Sequence, residues 1–104
     1  MLYTIFMRPK DSGQRVFQAE GNDMKDALVQ WAEEFEEDKL TRSGRRELIE
    51  IIGRLDEDRT RLVSGYHYDQ AEFYTNIWMF ETELDLETDS GVRTTFYVIK
   101  TAQG

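Results

Sequence analysis

The chain of 104 residues contains no cysteine, which excludes a disulfide framework, a thiolate nucleophile and a zinc site built on cysteine. Small secreted domains usually depend on disulfides, so this absence predicts a cytoplasmic protein. No apolar run approaches the roughly 20 residues that span a bilayer, and the apolar start at residues 2–7 is too short for a signal peptide. We therefore expect no membrane partner.

Basic residues are also scarce. The sequence has 13 lysines and arginines against 21 aspartates and glutamates, a formal net charge of -8. A chain of this charge repels phosphate backbones from most directions of approach, so the sequence predicts no nucleic-acid partner. A basic protein is the partner that this charge favours.

Motifs for a cofactor or a catalytic nucleophile are absent from the sequence. It contains no glycine-rich phosphate loop, no dinucleotide fingerprint, no zinc-protease helix motif and no nucleophile elbow. We therefore expect no cofactor, no metal site and no catalytic residue, and the sequence favours binding over catalysis.

The apolar residues are spread along the whole length and predict a single domain, residues 1–104. Alternation predicts strands at residues 2–8 and 14–20, joined by a loop in which Gly13 takes a positive φ. A loop centred on Ser12 would place Met7 opposite Phe17, which keeps one face of the hairpin apolar.

Two helices are predicted next. Asn22 or Asp23 can cap the first, in which apolar residues recur at spacings of three and four: Met24, Ala27, Leu28, Trp31, Ala32 and Phe35. The second spans residues 43–55, with Leu48, Ile51, Ile52 and Leu55 on one face. A strand is the alternative for this segment, because Gly53 and the isoleucine-rich run weaken the helical pattern.

From Thr60 onward, β-branched and aromatic residues predict strands at residues 61–68, 73–86 and 92–101. The fold class is therefore α+β, with the order ββααβββ and an antiparallel sheet of about five strands that carries one or two helices on one face. A three-residue loop at Asp89, Ser90 and Gly91 would place Leu84 opposite Phe96 and Glu87 opposite Arg93.

The sharpest local pattern is a row of carboxylates at every second position: Glu81, Glu83, Asp85, Glu87 and Asp89. On a strand these side chains share one face at intervals of about 6.6 Å, which makes the row a docking stripe for a basic protein or the solvated face of a hairpin. Residues of the same parity change from apolar to acidic near Met79. This change predicts that the strand leaves the core there and projects as a two-stranded arm.

A second acidic cluster, residues 33–38, lies at the end of the first predicted helix, where negative charge opposes the helix dipole. Two interpretations remain open. The cluster binds a partner, or the basic residues that follow neutralise it: Lys39, Arg42, Arg45 and Arg46.

The aromatic segment at residues 66–80 has no lysine or arginine near it, so it does not resemble a platform for single-stranded nucleic acid. We expect these aromatics in the core, with Tyr74 and Trp78 available as anchors at an interface.

The sequence therefore favours a small acidic protein-binding module, an inhibitor or neutraliser of a basic protein of the immunity, antitoxin-like or phage anti-defence type. Its predicted partner-binding residues are Glu81, Glu83, Asp85, Glu87, Asp89, Trp78 and Tyr74. One alternative is a small-ligand site or minor enzyme that uses His67, Asp69, Arg45 and Arg46. Another is a homo-oligomeric structural protein, with a homodimer formed through the hairpin at residues 80–100.

Overall fold

Strands occupy both ends of the chain and helices its middle. The computed structural model describes residues 1–35, 40–64, 72–87 and 90–101, without the side chains of residues 62–64 and 72–75. In chain order the elements are β1 (Leu2–Pro9), β2 (Arg15–Glu20), α1 (Met24–Glu34), α2 (Arg42–Arg54), α3 (Glu57–Thr60), β3 (Arg61–Ser64), β4 (Glu72–Leu84) and β5 (Val92–Thr101).

The strands form one sheet in the order β2-β1-β5-β4-β3, and every neighbouring pair is antiparallel. The first and last strands of the chain therefore lie side by side at its centre. The α+β class is confirmed. The observed order of elements differs from the predicted one by α3, a single turn that Asp56 caps through its side chain.

Helix α1 follows its predicted pattern. Asp23 is the N-cap, and its carboxylate accepts a hydrogen bond of 2.8 Å from the backbone N–H of Asp26. All six apolar residues predicted for its inner face are buried: Met24, Ala27, Leu28, Trp31, Ala32 and Phe35.

The segment for which a strand was the alternative is helix α2. Thr41 caps it by accepting a hydrogen bond of 2.9 Å from the N–H of Gly44. Gly44, Leu48 and Ile52 are its buried residues. The cap and the spacing of four between these positions outweigh the low helix propensity of glycine and isoleucine.

The predicted register of the first hairpin is wrong by two residues, since Ile5 and not Met7 lies opposite Phe17. The turn is tighter than expected: the N–H of Ser12 donates to the carbonyl of Pro9 over 3.1 Å, and Asp11, not Gly13, takes the positive φ of 62°. A shift of two residues preserves the alternation of side chains, so the apolar residues still share one face.

The predicted register of the last hairpin is also wrong. Phe96 lies opposite Phe80 and not Leu84, and Arg93 lies opposite Glu83 and not Glu87. Strand β4 ends at Leu84, so the connection to β5 is longer than three residues. The Asp85 carboxylate stabilises this connection by accepting a hydrogen bond of 3.0 Å from the N–H of Gly91.

The predicted projecting arm at the acidic end of β4 is not observed. Leu84 is buried, and Leu86 forms a β-bridge with Leu40 that ties the segment to the start of α2. Described pairing with β5 runs only from Ile77 to Leu84, so it is the N-terminal part of β4 that extends past β5. This part pairs with β3, whose register to β4 shifts between Arg61 and Val63.

The sheet has a covered face and an open face. Side chains of the covered face pack with α1 and α2 into one core, which includes Tyr3, Ile5, Met7, Trp78, Phe80, Phe96 and Val98. Phe80 and Phe96 stack with ring centroids 4.8 Å apart, and Trp31 of α1 meets Phe96 edge-on. None of the described helices is long and apolar enough to cross a membrane.

Candidate functional site

Strand β2 forms one edge of the sheet. The N–H of Gly21 donates to the carbonyl of Met1 over 3.1 Å, which makes this the first hydrogen-bonded pair of the ladder. Hydrogen-bonded and non-bonded pairs alternate in antiparallel strands, so Val16, Gln18 and Glu20 point their N–H and C=O groups away from β1. No strand among the described residues pairs with this outer edge, so in that part of the chain it can accept one more strand.

Helix α1 lies beside this edge and encloses a groove of about 610 Å³ with it. The floor is apolar and consists of Phe17, Ala19, Trp31 and Phe35. The ring centroid of Phe17 is 5.5 Å from that of Trp31 and 5.3 Å from that of Phe35. These contacts hold the aromatic floor in one arrangement, because each ring also packs against the core.

The polar residues that line the groove are Gln18, Glu20, Gln30 and Glu34. All four are exposed, and no lysine or arginine is among the described lining residues. The site is therefore an apolar floor with an anionic rim. Such a surface attracts a cationic segment and repels an acidic one.

Trp31 has an unusual position in the groove. It lines the floor while only 6% of its surface is exposed, and its indole N–H has no hydrogen-bond partner among the described residues. A buried donor without a partner costs free energy, so the packing of this large aromatic ring leaves its indole N–H unsatisfied at a cost in stability.

The groove combines backbone hydrogen-bonding groups with a pocket for side chains. A free strand edge supplies hydrogen bonds of fixed spacing, and the pocket beside it can receive every second side chain of an added strand. Within the described part of the chain, no three histidine, aspartate or glutamate residues are grouped so that they could hold a metal ion.

The predicted acidic row is divided in the structure. Glu81 and Glu83 are exposed on the open face of the sheet, and Glu81 accepts a hydrogen bond of 3.4 Å from the Thr95 hydroxyl. Asp85 lies beyond the strand, and its carboxylate accepts from the N–H of Gly91. Glu87 is exposed in the connection to β5, and Asp89 lies outside the described residues.

Of the two predicted aromatic anchors, Trp78 has its side chain among the described residues and Tyr74 does not. Trp78 is 2% exposed and packs in the core against Tyr3, with ring centroids 6.1 Å apart. A residue buried to this extent presents no surface to a partner. The side chain of Tyr74 lies outside the described residues.

Of the four residues of the alternative ligand site, Arg45 has a clear structural role. Its guanidinium donates hydrogen bonds to the carbonyl oxygens of Ala32 and Phe35 at the C-terminal end of α1. Arg46 is exposed, and His67 and Asp69 lie outside the described residues.

The groove was not among the sites predicted from the sequence. Phe17, Ala19 and the apolar face of α1 follow the pattern of core residues, and they do belong to the core. Their place in the groove depends on β2 being an edge strand, which no local pattern encodes, because strand order is set by pairing across the whole chain.

Comparison with protein-family models, with curated proteins and with solved structures finds no match to this chain.

Proposed function

We propose that the protein is a protein-binding module that docks an extended segment of a basic protein in the groove between β2 and α1. The observation that supports this function is the combination of a strand edge that no described strand pairs with, an aromatic floor and an exposed carboxylate rim in one groove. Each feature alone is common on protein surfaces. Together they match the requirements for adding a strand to a sheet beside a helix.

The added strand would pair with the outward backbone groups of Val16, Gln18 and Glu20. One side chain of the segment would pack on Phe17 and Ala19, the half-buried residues of the floor, beside Glu34 of α1. The alternate side chains would point to the open face of the sheet, near Glu20. The net charge of -8 would speed the encounter with a basic partner. This acceleration would weaken as the salt concentration rises. Occupying a basic surface in this way is how the protein would inhibit or neutralise its partner.

The test uses synthetic probes. The first is a short peptide of alternating lysine and valine, and the matched control carries glutamate in place of lysine. Titration into isotope-labelled protein should move the amide signals of Val16, Gln18 and Glu20 and the indole signal of Trp31 for the lysine peptide alone. A response spread evenly over the acidic surface would contradict docking in the groove.

Two sets of variants separate charge from backbone pairing. Glu20→Gln with Glu34→Gln should weaken the lysine peptide roughly tenfold, whereas the equally exposed pair Glu47→Gln and Glu50→Gln on α2 should not.

Gln18→Pro removes one outward N–H from the edge of β2 and leaves the ladder to β1 in place, so it should abolish docking while the thermal transition survives. Gln18→Ala keeps the N–H and is its control. Equal peptide affinity in the proline and alanine variants would exclude strand addition.

The predicted partner-binding role of Glu81, Glu83 and Glu87 is a further part of this proposal. These carboxylates lie on another surface, so a large basic protein could contact them only in addition to the groove, and Glu81 and Glu83 only while the chain is monomeric. Replacing Glu81 and Glu83 by glutamine should reduce the salt dependence of binding to a whole basic protein and leave the affinity for the short peptide unchanged.

A further inference from the structure

The open face of the sheet carries an apolar area that no described helix covers. One row across four strands consists of Val16, Phe6, Tyr97 and Met79, and Ile99 and Ile77 lie beside each other in the next row. Val16 is 56% exposed and Tyr97 39%, while the others are half-buried. Apolar side chains in such an arrangement usually mark an interaction site.

Charged residues follow on the same face, and their signs are separated by strand. Arg8 of β1, Thr95 of β5 and Glu81 of β4 form one row. The N–H of Lys10 donates to the carbonyl of Arg93 over 2.8 Å, so the ladder continues by one pair and Lys10, Arg93 and Glu83 form the next row. The acids therefore lie on one side of β5 and two of the bases on the other.

We propose that this face is the contact between two copies of the chain, related by a twofold axis that runs along β5. Rotation about this axis places β4 of each copy over β1 of the other. Glu81 then faces Arg8, Glu83 faces Lys10 and Met79 faces Phe6, each pair occurring twice, while Tyr97 meets its own counterpart. Sheets that pack face to face keep their strands within about 30° of each other, so these rows stay within reach.

The charge arrangement favours a second copy over other occupants. A basic partner would face Arg8, Lys10 and Arg93, and an acidic partner would face Glu81 and Glu83. A second copy brings the opposite sign to both sides of β5. Arg93, on the axis, would meet its own counterpart, and a Glu83 on the neighbouring strand of each copy would balance that charge.

The size of the face predicts a weak dimer. Because the axis runs along β5, the strands that overlap are β1, β5 and β4. Three strands about 4.8 Å wide and five rows about 6.8 Å long give a plane of roughly 500 Å² per copy, below the roughly 800 Å² of a standard interface. We therefore expect a reversible equilibrium that responds to concentration.

The experiment is sedimentation velocity over roughly a hundredfold range of protein concentration. The wild-type chain should pass from monomer to dimer. The acid-to-base variant (Glu81→Lys with Glu83→Lys) and the base-to-acid variant (Arg8→Glu with Lys10→Glu) should each remain monomeric. An equimolar mixture of the two should form a heterodimer, because each variant then supplies the sign that the other lacks.

Two control variants carry the same changes of net charge on exposed residues of α2: Glu47→Lys with Glu50→Lys, and Arg46→Glu with Arg54→Glu. They should dimerise like the wild type when all the proteins are compared at one moderate ionic strength, because salt also screens the charge pairs of the interface. A wild-type chain that stays monomeric at every concentration would overturn the proposal, as would variants that fail to combine although both are folded. The proposal does not depend on the groove, whose test reads peptide binding and not mass.

Discussion

The guanidinium of Arg45, in α2, donates a hydrogen bond to the carbonyl oxygen of Phe35, the residue that caps the end of α1. The last turn of α1 has no basic residue of its own and carries Glu33 and Glu34 near its negative end. Arg45 supplies the missing positive charge from a neighbouring helix and satisfies two carbonyl groups that the helix leaves unpaired.

Arg45→Ala should lower the free energy of unfolding by about 2 kcal/mol, because it leaves both carbonyls unpaired and the acidic helix end uncompensated. Arg45→Lys keeps the charge but not the fork of two donors, so its loss should be smaller. Urea denaturation measures both, and Arg46→Ala, at an exposed position of the same helix, should stay within about 0.5 kcal/mol of wild type. Equal losses for the two alanine variants would remove the cap as their explanation.

The two glycines of α2 should respond oppositely to alanine. A Cβ on Gly44 would lie 2.5 Å from the carbonyl oxygen of Asp85 and 2.8 Å from the Thr41 hydroxyl oxygen. Gly44→Ala must therefore separate the start of the helix from the end of β4, and we expect a loss of about 1 to 3 kcal/mol.

A Cβ on Gly53 would meet nothing within 4 Å. Gly53→Ala should raise the free energy of unfolding by about 0.5 to 1 kcal/mol through the better helix propensity of alanine. Thermal denaturation of both variants is sufficient, and a destabilised Gly53→Ala would show that the backbone there needs glycine for another reason.

Tyr3 should make the fold sensitive to alkali. Burial raises the pKa of its hydroxyl above the usual 10.0, and the nearby carboxylates of Glu57 and Asp23 raise it further. The unfolded chain then loses this proton at a lower pH than the folded chain, so stability is fully present below pH 10.0 and falls as the pH rises toward the folded pKa.

Tyr3→Phe removes this contribution, so its urea midpoint should fall less than that of the wild type between pH ~8 and pH ~11. Absorbance of tyrosinate during a pH titration gives an independent check, since the variant should lack one component that ionises above pH 10.0. Parallel losses of stability in both proteins would assign the alkaline effect to other groups.

Asp85 should differ from its neighbour in the acidic row. Asp85→Ala deprives the N–H of Gly91 of its acceptor and should cost about 1 kcal/mol. Glu83→Ala changes an exposed strand position and should stay within about 0.5 kcal/mol of wild type. Denaturation of the two variants side by side distinguishes a carboxylate that stabilises the fold from one that is exposed on the sheet.

Features that depend on residues close together in the chain could be predicted from the sequence. The cap at Asp23 and the inner face of α1 follow from spacing within one helix, and the boundaries of β5 follow from one run of β-branched and aromatic residues. The turn registers could not be predicted, because Asp11 adopts a backbone conformation that was assigned to Gly13. Asp can take a positive φ when local hydrogen bonds support it, and sequence alone does not show where they will.

The candidate groove and the open face both arise from strand order. Alternation showed that Ile77 and Met79 share a face with Glu81 and Glu83, but it did not show that Arg8 and its neighbours would join them across β5. The hydrogen bonds of Arg45 to the end of α1 could not be predicted from composition either. It was one of several cations that could neutralise an acidic helix end, and only the packing of α2 selects it.

The central pairing of the first and last strands also has a kinetic consequence. The hydroxyls of Thr4 and Thr101 are 2.6 Å apart in space and 97 residues apart in sequence. Contacts between residues so far apart in sequence raise the contact order of the fold and slow folding, because most of the chain must be confined before they form. During synthesis on the ribosome, β1 and β4 cannot be joined until β5 has emerged. Until then β2 with β1 and β4 with β3 form two incomplete sheets, whose unpaired edges are prone to aggregation until β5 inserts between them.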